Sequence, residues 1–169
     1  MNRFLTILCL LVMPAVCASV FEHPQNLSAF AKQLPELSSI NCKFRQEKTI
    51  SSSHLILKSS GDFKFEKDKG VIFYTTYPIK SISSYTSREY KQINSIISAI
   101  TNKSYSRLER DFDFYYEGNS QNWTIGLLPK KNSQVYDYLK SIELAGNSKM
   151  ITKIIILPVD LNKTTIWFN

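Results

Sequence analysis

The side chains that could carry acid–base chemistry are few in this chain, and the best candidates are two neighbouring carboxylates. Asp111 and Asp113 stand two residues apart on one predicted strand face, and Glu109 lies just before them. Paired carboxylates can serve as acid and base in glycoside hydrolysis. A solvated strand face explains them more simply, because the flanking Phe112 and Phe114 do not indicate a polar cleft. We predict no catalytic residue, and a secreted hydrolase that uses Asp111 and Asp113 stays an alternative.

Metal and nucleophile chemistry lack the residue spacing that they need. His23 and His54 lie far apart, and no His-x-His or Cys-x-x-Cys pair occurs, whereas zinc ligands cluster at short spacings. No serine stands in a Gly-x-Ser-x-Gly elbow. The five glycines are isolated in turns and form no phosphate-binding loop. We predict no metal site, no cofactor and no enzyme activity.

The N-terminus has the pattern of a secretory signal peptide. Arg3 supplies a positive start, Phe4–Val12 is an almost unbroken apolar run, and Val16-Cys17-Ala18 offers small residues for a signal peptidase. The apolar run is shorter than the roughly 20 residues that span a bilayer. We therefore predict that residues 1–18 are a signal peptide cleaved after Ala18, and that residues 19–169 form a single domain.

Cysteine usage follows from that cleavage. Lipid attachment at Cys17 is the disfavoured alternative, because Val16 precedes it and Pro14 stands three residues back, where leucine is usual. Cleavage after Ala18 removes Cys9 and Cys17, so Cys42 remains alone and no internal disulfide can form. We expect Cys42 to be a small buried residue.

The chain is basic, with a net charge of +7 at neutral pH. Its lysines and arginines are spread along the chain, so nucleic acid is an improbable partner for an exported protein of this kind. An anionic membrane surface or an acidic partner protein is a more suitable partner than nucleic acid for a protein with such a charge. The remaining alternative is that the positive charge serves only to keep the protein soluble.

Two segments have the spacing of short amphipathic helices, with apolar residues at i, i+3, i+4 and i+7. The first is carried by Leu27, Phe30, Ala31 and Leu34 and ends at Pro35. The second, over residues 89–101, is carried by Ile93, Ile96, Ile97 and Ile100.

From Ser39 onward the apolar residues recur at every second position, which predicts strands with one apolar and one polar face. Gly61 predicts a bend or bulge in the second strand. Predicted strands cover residues 39–48, 55–66, 71–77, 81–87, 112–116, 123–128, 135–145, 150–157 and 164–168. The fold class is therefore mainly β with a few short helices (α+β), in one mostly antiparallel sheet.

The chain has ten Phe, nine Tyr and two Trp, which is a large aromatic content. A closed sandwich would use these rings as core. An incompletely closed sheet would leave a concave apolar face that suits an acyl chain, because each buried methylene contributes about 0.8 kcal/mol. Composition does not separate these two arrangements.

The segment from Phe44 to Pro78 resembles the LolA-like family of periplasmic lipoprotein carriers. The matching motifs are Phe44-Arg45-Gln46, Gly61-Asp62-Phe63-Lys64-Phe65, a basic residue at Lys67, and Phe73-Tyr74-Thr75-Thr76-Tyr77-Pro78. The residues Glu47-Lys48, Trp123–Pro129 and Ile142–Gly146 are similar to a shorter LolA-like subgroup. The resemblance covers most of the chain after the signal peptide, with short and loose motifs.

The resemblance implies an unclosed antiparallel β-barrel, or half-pipe, with a helical lid. It implies that five residues line an acyl cavity: Phe44, Phe63, Phe65, Val71 and Phe73. It places Lys67 at the rim with the lid residues Ile93, Ile96, Ile97 and Ile100. In the family an arginine at the rim position holds the closed lid by hydrogen bonds, and lysine lacks its planar fork.

The same resemblance implies a monomeric carrier in the periplasm that moves cargo from the inner towards the outer membrane. Its partners would be a lipoprotein or (glyco)lipid cargo, an inner-membrane exporter and an outer-membrane acceptor. The alternative is an envelope sensor or scaffold on the same half-barrel, with a filled interior and no transported cargo.

Overall fold

The structure is a computed structural model that describes residues 19–22, 24–26, 29, 31–32, 34, 39–66, 69–84, 91–101 and 105–169. The predicted signal peptide, Lys67, and Leu27 and Phe30 of the first predicted helix lie outside these residues.

One antiparallel sheet of nine strands dominates the fold. The strands are β1 (Ser39–Ile50), β2 (Leu55–Glu66), β3 (Gly70–Tyr77), β4 (Ser81–Ser84), β5 (Phe112–Asn119), β6 (Asn122–Pro129), β7 (Leu139–Gly146), β8 (Ile151–Pro158) and β9 (Thr164–Phe168). Their order is β4-β3-β2-β1-β9-β8-β7-β6-β5. In the described residues β4 and β5 are the two edges and do not pair with each other. The prediction of a mainly β, unclosed antiparallel sheet is confirmed.

The predicted alternation sets which face of the sheet is buried. In β1, Ile40 and Phe44 are buried while Asn41, Lys43 and Arg45 are exposed. Cross-strand neighbours share a face, so the charges meet on the outer side. There Lys43 forms an ion pair with Asp62 at 2.5 Å. The guanidinium of Arg45 lies 4.4 Å from the ring centre of Trp167 on β9, a cation–π contact.

Gly61 lies at the irregularity that the sequence predicts. The register between β2 and β3 shifts between Ser60 and Gly61. A Cβ atom added at Gly61 would lie 2.0 Å from the backbone oxygen of Tyr74. Only glycine therefore lets β3 approach β2 this closely, and the bulge prediction is confirmed.

Two α-helices follow the first four strands: α1 (Lys91–Thr101) and α2 (Ser106–Asp111). α1 is the predicted second helix, and residues 89 and 90 of that prediction lie outside the described part. The sequence did not predict α2, because six residues are too few to establish a helical period. In the first predicted helix, Ala29, Ala31 and Lys32 are helical, and the Asn26 side chain accepts a hydrogen bond from the Ala29 amide at 2.8 Å.

The residues just after the predicted cleavage point pack on the outer side of β5 and β6. The rings of Phe21 and Tyr115 meet edge to face at 5.5 Å. The Gln25 amide donates to the Phe114 carbonyl at 3.0 Å. A Cβ at Gly126 would lie 2.6 Å from the Phe21 ring. This segment therefore shields part of the β5 edge, where backbone groups would otherwise stay unpaired.

Two sequence predictions need correction. Asp111 does not share a strand face with Asp113, because α2 continues through Asp111 and β5 begins at Phe112. The strand predicted over 135–145 begins only at Leu139, because hydrogen-bonded turns between residues 130 and 139 replace strand pairing.

We expect Gly61→Ala to lower the free energy of unfolding by about 1–3 kcal/mol, because the added methyl group must push β3 away. Urea denaturation would measure this change. Ser60→Ala is the matched control in the same strand, and an equally small effect of both substitutions would contradict the close approach at Gly61.

Candidate functional site

The five predicted cavity residues come together at β1, β2 and β3 on the buried side of the sheet, and we call the buried side of the whole sheet the inner face. Phe44, Phe63, Phe65, Val71 and Phe73 are each at most 2% exposed. The Phe44 and Phe73 rings meet edge to face at 5.1 Å, and the Phe63 and Phe73 rings meet at 5.0 Å. Rings at these distances attract one another beyond the effect of area alone. In this state the residues form packed core, and their contact with a ligand stays a prediction.

The predicted lid residues lie on α1 and join the same hydrophobic cluster. Ile93, Ile96, Ile97 and Ile100 are each at most 4% exposed. The first three of them face Ile142 and Leu144 of β7 and Ile154 of β8, and the space between them has no room for a water-sized molecule. α1 therefore covers part of the inner face, and the space between α1 and strands β7 and β8 is filled.

A polar contact also joins α1 to β3. The Asn94 side-chain oxygen accepts a hydrogen bond from the backbone amide of Val71 at 3.1 Å. Val71 is fully buried, so its amide needs a protein partner. The hydroxyl of Ser98 approaches the same Asn94 oxygen at 3.4 Å. Asn94 thus sets the position of α1 along β3.

The site is almost free of charge. The buried polar side chains around the core are Gln46, Ser141 and Thr165. At its margin, burial raises the pKa of the Cys42 thiol to about 11, and the negative charge of Asp62 adds to the rise. The thiol is therefore neutral and poorly nucleophilic at neutral pH. The inner face can therefore bind an apolar molecule, but its polar side chains do not form an acid–base pair.

Ion pairs flank the position of Lys67, although Lys67 itself lies outside the described residues. Glu66 accepts hydrogen bonds from Lys64 at 2.6 Å and from Lys69 at 2.7 Å. These bonds lower the pKa of Glu66 to about 2. Because these side chains are solvated, the pairs add little to stability.

The carboxylates considered first do not form a catalytic pair. Asp111 is held by the adjacent Arg110, with its Oδ1 atom 3.0 Å from Arg110 Nε. Asp113 is largely exposed, and Lys130 Nζ lies 3.8 Å from it. No group of three or more His, Cys, Asp or Glu side chains in the described part of the chain is placed to hold a metal ion.

Sequence reasoning missed Ile142, Leu144 and Ile154, which face α1 across the inner side, and it missed Asn94. The almost wholly apolar run 150–157 was a usable signal for a strand that packs in the core, and in the structure Ile151 and Ile154 are its buried residues. Asn94 stands between Ile93 and Ile97, and nothing in the sequence indicates its partner on β3.

No protein-family model and no curated protein matches this chain. No helix of the described residues has the length and apolar character needed to cross a membrane. The resemblance to LolA-like carriers therefore stays a prediction from the residues quoted above.

We expect the Cys42 thiol to react slowly with an aromatic disulfide reagent at pH 8. With a pKa of about 11, about one thiol in a thousand is ionised at that pH, against roughly a quarter for an ordinary cysteine. A chain with Cys9→Ser and Cys17→Ser isolates the signal. The urea-unfolded protein should react about 250-fold faster if the rate follows the ionised fraction, and equal rates would contradict the burial.

We expect Asn94→Ala to lower the free energy of unfolding by about 1–2 kcal/mol, because the buried amide of Val71 loses its acceptor. Ser95→Ala on the same helix is the matched control, since both changes raise helix propensity by a similar amount. Urea denaturation of the two variants measures the difference, and equal stabilities would show that the Asn94 bond contributes nothing.

Proposed function

We propose that this protein is a carrier that binds the acyl chain of a lipoprotein or lipid on its inner face. One observation carries the proposal: four isoleucines of α1 occupy the apolar surface that an acyl chain would otherwise cover. The described state is then the closed, empty form. Ligand binding replaces α1 on the inner face, and the ligand shifts the population because it binds the open form better.

The burial energies of the closed form, covered by α1, and of the open form, covered by an acyl chain, are comparable. An exchange between helix and ligand requires this. Four buried isoleucines contribute about 6–12 kcal/mol, at about 1.5–3 kcal/mol each. An acyl chain of about 14 methylenes gains about 11 kcal/mol on burial, at about 0.8 kcal/mol each. Both figures are upper bounds. Neither α1 nor the acyl chain binds the inner face much more strongly than the other, so an acyl chain can both bind and dissociate.

The open sheet supports a half-pipe form of this proposal. Its two edges do not pair in the described residues, and α1 contacts β3 on one side and β7 and β8 on the other. A helix that spans these strands can serve as a lid. Lys67 belongs to the proposed rim of the half-pipe.

The cellular setting of the proposal comes from the sequence. A signal peptide over residues 1–18 exports the chain, and the monomeric carrier works in the periplasm between an inner-membrane exporter and an outer-membrane acceptor. A lipoprotein or a (glyco)lipid is the cargo. The chain has no phosphate-binding glycine loop, so transfer follows a gradient of affinity from exporter to acceptor.

A second candidate is an envelope sensor or scaffold that carries no cargo. The packing between α1 and the β7–β8 strands favours it, because the space there does not admit a water molecule. In that case α1 is a permanent part of the core and does not move.

Titration of delipidated protein with a fluorescent fatty acid separates the two candidates. The carrier binds saturably, and Asn94→Ala binds about 5–30-fold more tightly, because the competing closed form loses about 1–2 kcal/mol. Ser95→Ala binds like wild type. No saturable binding to any of the three proteins would refute the carrier and leave the sensor or scaffold.

Phe65→Tyr adds a check on the site itself. The substitution places a hydroxyl on a ring that is fully buried, so we expect weaker fatty-acid binding in a protein that still folds by circular dichroism. Binding equal to wild type would place the ligand elsewhere.

A further inference from the structure

The large hydrophobic side chains that the protein exposes are concentrated at one end of the sheet. This end comprises residues 47–58, 77–81, 130–140 and 158–164, and we call it the loop end. Nine of its side chains are between 43% and 77% exposed: Leu55, Ile56, Leu57, Tyr77, Ile79, Tyr136, Tyr138, Val159 and Leu161. Exposed apolar side chains that are grouped at one end of a protein mark an interaction site when they form a patch.

Hydrogen bonds bring the loops of this end together. The Ser51 amide in the β1–β2 turn donates to the Asn162 side chain at 2.9 Å. The Val159 amide donates to the Tyr138 carbonyl at 3.1 Å, which joins the β8–β9 loop to the start of β7. The β3–β4 turn points towards the same end, because β2 begins at the loop end and β3 runs antiparallel to it, from Gly70 opposite Glu66 to Tyr77 opposite Ser60.

The opposite end of the sheet differs in character. Its turns over residues 119–122 and 146–150 consist mostly of Asn, Ser, Gln and Gly, and none of their residues is an exposed large hydrophobic. Nine of the eleven exposed large hydrophobic side chains among the described residues therefore lie at the loop end, and the other two, Tyr74 and Ile82, lie opposite each other on β3 and β4.

Leu161 also indicates that the loop end is an interaction surface. Its backbone has a φ of +64°, in the left-handed region that Gly and Asn occupy at lower cost, and its side chain is 48% exposed. A strained position that presents a leucine to solvent gains nothing for the core. Such positions concentrate at functional surfaces.

The loop end is also positively charged. It holds seven lysines (Lys48, Lys58, Lys80, Lys130, Lys131, Lys140 and Lys163) and three acidic residues (Glu47, Asp137 and Asp160). Lys58 lies 3.7 Å from Glu47, and Asp160 accepts hydrogen bonds from Asn162. Lys80, Lys131 and Lys163 make no ion pair among the described residues, and Lys80 directly follows the exposed Ile79.

We propose that the loop end docks on the surface of an anionic lipid bilayer. Leucine and isoleucine side chains enter the boundary between headgroups and acyl chains, tyrosines lie at the headgroup level, and lysines neutralise lipid phosphates. An acidic protein would match the lysines, but it would leave the apolar tips Ile79 and Leu161 exposed. The docking is independent of whether the inner face carries an acyl chain.

Vesicle flotation tests the proposal with residues 19–169, the chain that remains after the predicted cleavage, and vesicles of defined composition. We expect the protein to float with phosphatidylglycerol vesicles, to stay unbound with phosphatidylcholine vesicles, and to dissociate at high salt. Failure to bind phosphatidylglycerol vesicles at low salt overturns the proposal. Equal binding to both lipids overturns its electrostatic part. Retention on a soluble polyanion without vesicle binding overturns it in favour of an acidic protein partner.

Paired variants locate the docking surface. Lys163→Glu should lower vesicle partitioning about tenfold or more, because it replaces attraction to the anionic surface with repulsion, while Lys149→Glu at the opposite end should change it little. Ile79→Asp should weaken binding far more than Ser120→Asp, which adds the same charge to the opposite end. Equal losses within either pair overturn the assignment. Unchanged fatty-acid binding by these variants would separate docking from the proposed cargo site.

Discussion

An open sheet with one apolar face must cover that face, and most of the structure follows from this constraint. The inner face presents phenylalanines from β1, β2, β3 and β9, and the five-membered set Phe44, Phe63, Phe65, Val71 and Phe73 is almost completely buried. Since the strands at the two edges do not pair in the described part, the sheet cannot bury this surface by closing on itself. Helix α1 supplies the cover with four isoleucines on one face.

The cover and the sheet are joined by both apolar and polar contacts, and the two have different consequences. Apolar contacts are non-directional, so the isoleucines of α1 can be replaced by any chain of similar volume. The hydrogen bond from Val71 to Asn94 is directional and fixes one position of the helix. A carrier needs the first property and a permanent scaffold benefits from the second. For this reason the mobility of α1, rather than the identity of the residues beneath it, separates the two functions.

The properties of the outer face and of the loop end also follow from a sheet with one apolar and one polar face. On the outer face, cross-strand pairs such as Lys43 with Asp62 and Arg45 with Trp167 keep the strands soluble and in register. At the loop end the strands extend past the cover, and Leu55 and Leu57 continue the inner face into solvent. Leu55 lies opposite Ile50 in the register, and Leu55 and Leu57 are both more than half exposed, so helix α1 does not cover this part of the sheet.

Periodicity in the sequence was sufficient for the alternation of β1 to β3, the helical face of α1 and the bulge at Gly61, because each depends on neighbours within a few residues. The resemblance that the motifs suggest is a prediction of the same kind, and no structural observation tests it. Helix α2 and the late start of β7 were not predictable, since short helices and turns depend on tertiary contacts more than on pattern.

Tertiary structure alone decided what lies above the inner face. The sequence determined that Phe44, Phe63 and Phe65 share one side of a sheet, but the same pattern serves a filled core and an empty cavity equally well. Only the placement of α1 across β3, β7 and β8 shows that the surface is covered and filled in this state. The physical reason is that hydrophobic burial has no preferred partner, so partners distant in sequence are chosen by topology and leave no local signal.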